Sequence, residues 1–148
     1  FFIENKLSFP TVVIGSSLGG WISLIIAKKL SKKIRGVIGI GTAPDFTKNM
    51  LDNLSLKEKK INENKKFIAI KSPYSKEDYI FNKKFIEDSK KYYVLNKKIN
   101  TKAIVSLLYG DLDDSVSLKT QLQLLSVLNA KEAKLTIIKK GDHLCSLF

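Results

Sequence analysis

The stretch of sequence that decides the fold runs from residue 11 to residue 30 and reads TVVIGSSLGGWISLIIAKKL. It opens with four β-branched residues, which predict a buried strand over residues 11–15. Apolar residues at helical spacing follow, among them Trp21, Leu24 and Ile25, and they predict a helix over residues 18–30. Only a short turn separates the two segments, so the strand passes directly into the helix. This is a repeating unit of α/β proteins.

The turn itself, Gly-Ser-Ser-Leu-Gly, has the G-x-S-x-G pattern of a nucleophile elbow. In such an elbow a serine occupies a sharp, strained turn, so that its hydroxyl projects from the end of the sheet. We expect Gly15 and Gly19 to be needed because a side chain at either position would collide with a neighbouring strand or helix. Ser17 is then the candidate nucleophile. The backbone N–H of Leu18, close to a helix N-terminus, is the candidate oxyanion donor.

Two other interpretations of this turn stay open. Ser16 is the second serine, but Ile14 stands where the elbow pattern requires a glycine, so Ser17 is the better candidate. The turn is also compatible with a purely structural role, in which glycines let a helix pack closely on a sheet.

Length and composition limit the class of protein. The chain has 148 residues and is 44% hydrophobic, which is ordinary for one globular domain. No apolar run approaches the roughly 20 residues of a membrane span, and the N-terminus does not resemble a signal peptide. The single cysteine, Cys145, excludes an internal disulfide framework and favours a reducing, cytoplasmic location.

The charge is strongly basic, at +12 from 26 basic and 14 acidic residues. Nucleic acid is the obvious partner for such a chain, but Arg35 is the only arginine, and arginine is the residue that reads bases and grips phosphates. The lysines are scattered in pairs rather than gathered in one stripe, which is typical of solvated faces. We therefore predict no nucleic-acid partner and keep a basic binding module as a minor alternative.

Three further apolar runs, at residues 35–40, 103–109 and 134–138, predict additional strands, and residues 116–128 predict a helix. Strand and helix alternate, and the runs are too continuous to be buried on one face only. The predicted fold class is α/β, with a parallel sheet of about four strands and flanking helices.

Residues 45–100 differ in character, being rich in lysine, asparagine and aromatic residues. They predict helices over residues 49–60 and 83–95. Segments 67–70 and 79–81, which flank the turn at 72–75, predict a hairpin or a pair of short strands. We interpret this stretch as a cap or lid inserted into a single domain of residues 1–148, in which it would shape the pocket.

Catalytic residue types follow three of the predicted strands. Ser17 follows the first, Asp113 the third and His143 the fourth. The carboxyl ends of parallel strands share one edge of a sheet, so these three loops are expected to lie together. His143 is the only histidine, and is therefore the one conventional general base that the chain offers. A lone histidine more often only packs in the core or lies on the surface, so its place at a strand end carries the functional interpretation.

Several carboxylates could orient that histidine. Asp111, Asp113 and Asp114 share one loop, and Asp45 follows the second strand. The structural alternative for Asp111 and Asp114 is to cap the next helix or to hold the turn. For Asp45 the structural alternative is also capping. Asp142 is adjacent to His143 in sequence and is poorly placed to orient the imidazole.

The chain resembles the α/β-hydrolase superfamily. The resemblance rests on residues 15–21, 41–46, 110–116 and 142–143, and extends over nearly the whole chain. Within the superfamily these motifs are similar to the mycophenolic acid acyl-glucuronide esterase and palmitoyl-protein thioesterase type. The spacing of Gly110, Asp113 and Val116 matches the family loop that carries the acid, whereas Ser117 stands where a proline is usual.

This resemblance implies a serine esterase or thioesterase that uses Ser17, Asp113 and His143 as nucleophile, orienting acid and base. It implies no cofactor and no metal, and its substrates would be small-molecule or acyl-protein esters. It also implies a partial α/β-hydrolase fold, because the family sheet has further strands, one of which precedes the loop with the second oxyanion donor. An inactive fragment or remnant of such a hydrolase is therefore the main alternative.

Overall fold

The structure is a computed structural model that describes residues 10–71 and 76–146, in two units. The first unit contains the described residues up to Pro44 and those from Val94 onward. The second unit is Asp45–Tyr93, so residues 94–100, which the sequence analysis assigned to the insertion, lie in the first unit. The predicted turn at residues 72–75 lies outside the described residues.

Helices and strands alternate along much of the described chain. In chain order they are β1 (Thr11–Ser16), α1 (Leu18–Lys29), β2 (Ile34–Ile40), α2 (Phe46–Asp52), α3 (Leu56–Asn62), β3 (Phe67–Ile70), β4 (Tyr79–Asn82), α4 (Lys83–Ser89), β5 (Ile99–Asn100), β6 (Ile104–Gly110), α5 (Leu118–Val127), β7 (Leu128–Asn129) and β8 (Glu132–Ile138).

The main sheet of the first unit confirms the predicted fold class. Its four strands run in the order β1-β2-β6-β8, and all three neighbouring pairs are parallel. Apolar, β-branched runs form the central strands, where Val37, Val105 and Leu107 are almost completely buried. With the order known, the ends of β1, β2, β6 and β8 follow one another along a single edge.

Two helices flank this sheet. Helix α1 buries Trp21, Leu24 and Ala27. Helix α5 starts two residues later than predicted because Ser117 is its N-cap, with Oγ accepting a hydrogen bond from Thr120 N at 3.2 Å. The other predicted strand and helix bounds of the first unit agree within about two residues, which is the usual uncertainty of element ends.

The predicted helix over residues 49–60 is wrong, because the second unit has two helices there, α2 and α3. Ser55 begins the second of them with a capping box. Its Oγ accepts from Glu58 N at 3.2 Å, and its own N–H donates to Glu58 Oε2 at 2.9 Å. These bonds satisfy donors at a helix start, and they therefore place a break where periodicity alone suggests continuity.

The rest of the second unit is a hairpin and a short helix. Strands β3 and β4 pair antiparallel, as predicted, while α4 ends at Ser89, well before the predicted bound. Ser89 Oγ donates to Ile86 O at 2.6 Å, a local bond that competes with the helical pattern, and a 3₁₀ turn follows at Lys90–Tyr92. The core of this unit is a cluster of buried apolar side chains: Met50, Leu54, Ile68 and Ile86.

One small feature was missed altogether. Strands β5 and β7 form a parallel ladder of two residue pairs, Ile99 with Leu128 and Asn100 with Asn129. Two residues are too few to show any periodicity, so no sequence pattern could have predicted this pairing.

Candidate active site

Ser17 occupies the strained position of the turn between β1 and α1. Its φ of 51° and ψ of −120° lie outside the regions that L-residues prefer, and it heads α1 without a side-chain capping bond. The turn is held from the neighbouring strand, because Ser17 N donates to Ile40 O at 2.8 Å. Leu18 is the first residue of α1, and helix geometry leaves its N–H without an intrahelical acceptor.

The glycines around Ser17 differ in what they allow. A Cβ added at Gly15 would overlap the carbonyl of Gly19 and lie 2.5 Å from Ser23 Oγ, which is the collision expected there. At Gly19, by contrast, an added Cβ would have no neighbour within 4 Å among the described residues outside its own helix backbone. The second close approach falls at Gly20 instead, where a Cβ would lie 2.5 Å from Thr42 Oγ1.

Asp113 and His143 form a direct pair. Asp113 Oδ2 lies 2.9 Å from His143 Nδ1. The other oxygen, Oδ1, accepts the N–H groups of Ser115 and Val116, both at 2.9 Å. The Asp113 side chain is fully buried, and His143 is 8% exposed. An acceptor fixed in this way favours the imidazole tautomer with its proton on Nδ1, which leaves Nε2 free to accept a proton.

The other carboxylates of these loops hold turns. Asp111 Oδ1 accepts from Lys140 N at 2.5 Å, and Asp114 Oδ1 accepts from Ser115 Oγ at 3.1 Å. Asp142 Oδ1 accepts from Leu144 N and Ser146 N at 2.9 and 2.8 Å. Asp111 thus joins its loop to the loop after β8, and the expected helix cap is provided by Ser117 rather than by Asp111 or Asp114.

Asp45, the remaining candidate acid, belongs to the second unit. It is 3% exposed and precedes α2 in the left-handed conformation, with a φ of 53° and a ψ of 32°. Its side chain makes no capping hydrogen bond to that helix, so the expected capping role of the carboxylate is not found.

The loop that carries His143 passes over two glycines. A Cβ at Gly110, the last residue of β6, would overlap the carbonyl oxygens of Gly141 and Asp142. A Cβ at Gly41, which follows β2 with a φ of 49°, would overlap His143 O and lie 3.0 Å from its Nδ1. The loop therefore leaves β8, crosses the end of β6 and brings the imidazole to the end of β2. The only signal of this path in the sequence is a glycine at the end of each of the two strands, Gly110 in β6 and Gly41 directly after β2.

The loop after β2 contacts both Ser17 and His143. Ala43 N donates to Ser17 O at 3.0 Å, and Gly41 lies against the imidazole. In the part of the chain that the structure describes, Ser17 Oγ itself makes no hydrogen bond to His143. The structure thus joins Asp113 and His143 directly and links Ser17 to them through residues 41–43.

Two groups near Asp113, the Tyr109 hydroxyl and the Cys145 thiol, have raised pKa values. Burial raises the pKa of the Tyr109 hydroxyl, and the negative charge of Asp113 raises it further. Burial also raises the pKa of the Cys145 thiol, with added effects of the Asp113 and Asp142 charges. Cys145 is therefore a protonated thiol near neutral pH, although it is only two residues from His143.

Neither a metal cluster nor a membrane span is found in the described ranges. Residues 10–71 and 76–146 contain no group of three or more histidine, cysteine, aspartate or glutamate side chains that could hold a metal ion. No helix in these ranges has both the length and the apolar character needed to cross a bilayer.

Comparisons with known proteins agree with this fold. The mitochondrial palmitoyl-protein thioesterase ABHD10 of Homo sapiens is 30% identical over 142 residues, which are 95% of this chain and 46% of the human protein. A putative hydrolase from Agrobacterium vitis S4 superposes with a TM-score of 0.87 at 29% identity, covering 96% of this chain and 57% of that one. Mouse ABHD10 superposes with a TM-score of 0.83, at the same identity and coverage. No protein-family model matches the chain.

The chain spans about half the length of the curated relatives it matches. The matched half contains the four-stranded parallel sheet and the three loops described above. The chain therefore has a partial α/β-hydrolase fold, and within that superfamily it resembles the palmitoyl-protein thioesterase type.

Proposed function

We propose that this chain carries the catalytic residues of a serine hydrolase that cleaves carboxylic esters or thioesters through an acyl-enzyme. The observation that supports this most directly is the buried pair of Asp113 and His143, 2.9 Å apart. The loop of residues 41–43 links this pair to a serine in a strained turn. Nucleophile, orienting acid and base thus follow one another in the chain order of α/β-hydrolases.

In the first half of the reaction, His143 Nε2 removes the proton from Ser17 Oγ as the oxygen attacks the substrate carbonyl. Asp113 holds the imidazole in the required tautomer and stabilises the imidazolium that forms. Leu18 N–H donates to the oxyanion at the N-terminus of α1. Collapse of the tetrahedral intermediate releases the alcohol or thiol, which takes the proton from His143.

In the second half, His143 removes a proton from water, which attacks the acyl group on Ser17. The carboxylic acid leaves and Ser17 regains its proton. The leaving group can be an alkoxide or a thiolate, because the first half releases either one from the same kind of tetrahedral intermediate and the second half starts from the same acyl-serine. This is why the proposal covers both esters and thioesters, although the matched relatives are named thioesterases.

A remnant that no longer turns over substrate is the second candidate. It is supported by one observation, namely that Ser17 Oγ makes no hydrogen bond to His143 in the part of the chain that the structure describes. The cytoplasmic location and the absence of a nucleic-acid partner stay predictions from the composition.

Labelling with a fluorophosphonate probe tests the nucleophile. We expect the 148-residue chain to be labelled at one serine, and Ser17→Ala to abolish the labelling. Ser16→Ala is the matched control, because it removes the adjacent hydroxyl of the same turn and should leave labelling intact. Labelling that survives Ser17→Ala would refute the assignment.

A panel of esters and thioesters with increasing acyl length then separates the two candidates. Turnover of either class by the 148-residue chain before labelling, lost on Ser17→Ala, supports the hydrolase. Labelling of Ser17 without turnover of any member supports the remnant.

A further inference from the structure

Gln121 is an unusual residue for the core of the first unit. It lies on α5, is fully buried, and donates from Nε2 to the backbone oxygen of Thr42 at 2.7 Å. Its other amide atom, Oε1, has no hydrogen-bond partner within the described residues. Only half of this buried amide is satisfied.

Stability alone does not account for a glutamine at this position. A buried polar atom without a partner is costly, and an apolar side chain of similar shape would avoid that cost. A second role for the amide would account for its presence, and the single hydrogen bond that it makes, to Thr42 O, indicates where to look.

The acceptor, Thr42, is the middle residue of the loop that contacts both halves of the candidate active site. On one side of it, Gly41 lies against the His143 imidazole. On the other side, Ala43 N donates to Ser17 O at 3.0 Å. A shift of this loop would change the position of the nucleophile and the base together.

Helix α5, which carries Gln121, directly follows the loop after β6, and Asp113 lies in that loop. Asp113 Oδ1 accepts the N–H of Val116 at 2.9 Å, and Ser117 caps the helix one residue later. Gln121 thus connects the segment that carries the acid to the loop that supports the serine and the histidine.

We propose that Gln121 is a positioning residue for this site, acting through Thr42. The inference rests on the proposed function for its chemical meaning, because it assumes that Ser17 and His143 react together. In structural terms, the hydrogen bond from Gln121 to Thr42 holds residues 41–43 in place and so sets the distance between Ser17 and the imidazole of His143.

The test compares Gln121→Met with Gln123→Met in the 148-residue chain. Methionine keeps the length of the side chain and removes the amide donor. Gln123 is the matched control because it lies on the same helix, is exposed and donates to a backbone oxygen, that of Leu95 at 3.4 Å. The rate of fluorophosphonate labelling is measured below the melting temperature of every variant, with folding followed by the fluorescence of Trp21, the only tryptophan.

We expect labelling by Gln121→Met to be about 10–100-fold slower, because displacements of about 1 Å have effects of that size, and labelling by Gln123→Met to be unchanged. The imidazole NMR signals of His143, the only histidine, should shift in the first variant and not in the second. A role in stability alone would lower the melting temperature of Gln121→Met but leave the labelling rate of folded molecules and the His143 signals unchanged. That result would overturn the proposal.

Gln121→Glu provides a second variant in case Gln121→Met does not fold. A protonated carboxyl can donate to Thr42 O, whereas a carboxylate cannot. The labelling rate of Gln121→Glu relative to the unchanged chain should therefore rise as the pH falls, and a ratio that does not change with pH would overturn the proposal. If the unchanged chain itself is not labelled, the proposed function fails, and the His143 signals of Gln121→Met still decide the positioning role.

Discussion

The two units of this molecule are ordered by different kinds of contact. At the strand ends of the first unit, backbone lies against backbone, and Gly15, Gly41 and Gly110 stand where a Cβ would overlap a neighbouring main chain. The second unit is ordered by a cluster of apolar side chains and by helix caps such as that of Ser55. An added Cβ at any of these three glycines would therefore overlap main chain, whereas the contacts named in the second unit are made by side chains that can be removed one at a time.

The largest expected effect separates the two candidate acids, one in each unit. Asp113→Asn should slow fluorophosphonate labelling by about 10³–10⁴-fold, because an amide in that position favours the wrong imidazole tautomer. Asp45→Asn should leave the rate within a few-fold of that of the unchanged chain. A larger loss for Asp45→Asn than for Asp113→Asn would show that Asp45 is the orienting acid, and would contradict the assignment of that role to the first unit.

The next largest effect is on folding stability. Gly15→Ala should lower the free energy of unfolding by about 3 kcal/mol, since the added methyl group overlaps the main chain of Gly19. Gly19→Ala is its matched control and should raise stability by about 0.5–1 kcal/mol, because alanine is the better helix former and nothing described lies near its Cβ. Urea denaturation followed by Trp21 fluorescence measures both. Equal losses would contradict the distinction drawn between the two glycines.

A smaller effect is expected in the second unit. Ser55→Ala should destabilise α3 by about 1 kcal/mol, the usual effect of losing an N-cap, and hydrogen exchange over residues 56–62 should become faster. Exchange in α1, in the first unit, serves as the internal control and should not change. Faster exchange in both helices would mean that the two units unfold together, which would contradict the distinction drawn between them.

The same cap has a pH dependence of known sign. Hydrogen bonds from the Ser55 hydroxyl and backbone N–H lower the pKa of Glu58. A depressed pKa in the folded state means that the stabilisation is present above the unfolded pKa and is lost as the pH falls through the folded one. The protection of residues 56–62, which is the intrinsic exchange rate at each pH divided by the observed rate, should therefore fall in acid, below the ordinary glutamate pKa. Ser55→Ala should weaken this dependence, because it removes the hydroxyl and leaves the backbone N–H.

The smallest effect concerns Cys145. Because burial and the neighbouring carboxylates raise the pKa of its thiol, alkylation by iodoacetamide should have its midpoint at a higher pH in the folded chain than in the urea-unfolded chain. Asp142→Asn should lower that midpoint by removing one of the charges. Equal midpoints for folded and unfolded protein would show that the loop after β8 does not shield the thiol.

The sequence was sufficient for the sheet and for the placement of the chemical groups at its edge. Continuous β-branched runs predicted parallel strands, and the strand order brings the loops of Ser17, Asp113 and His143 to the same edge. The choice of Asp113 over Asp45 could not be made from the residues alone, because it depends on a hydrogen bond between groups 30 positions apart. The roles of Gly20 and Gly41 are missed for a related reason, since a glycine in a turn or after a strand does not by itself indicate which distant residue, Thr42 or His143, lies against it.

Predictions were weakest where single polar side chains override periodicity. Ser55 divides a lysine-rich stretch into two helices, and Ser89 ends another, although the apolar spacing continues past both. Residues that form caps compete with the helix through local hydrogen bonds, and their outcome depends on tertiary packing.

The loop after β8 has a consequence for protein design. Most of its turns are made from its own atoms: Gly141 N donates to Ile138 O, Cys145 N donates to Asp142 O, and the Asp142 side chain accepts two further N–H groups. From the rest of the first unit it requires glycines under its crossing points and a partner for the imidazole. It is also bound to the loop after β6, because Asp111 Oδ1 accepts from Lys140 N and Leu112 N donates to Gly141 O. A designed parallel sheet that is to accept residues 138–146 would therefore need two adjacent strands that end in glycine and, after the nearer one, a loop equivalent to residues 111–113.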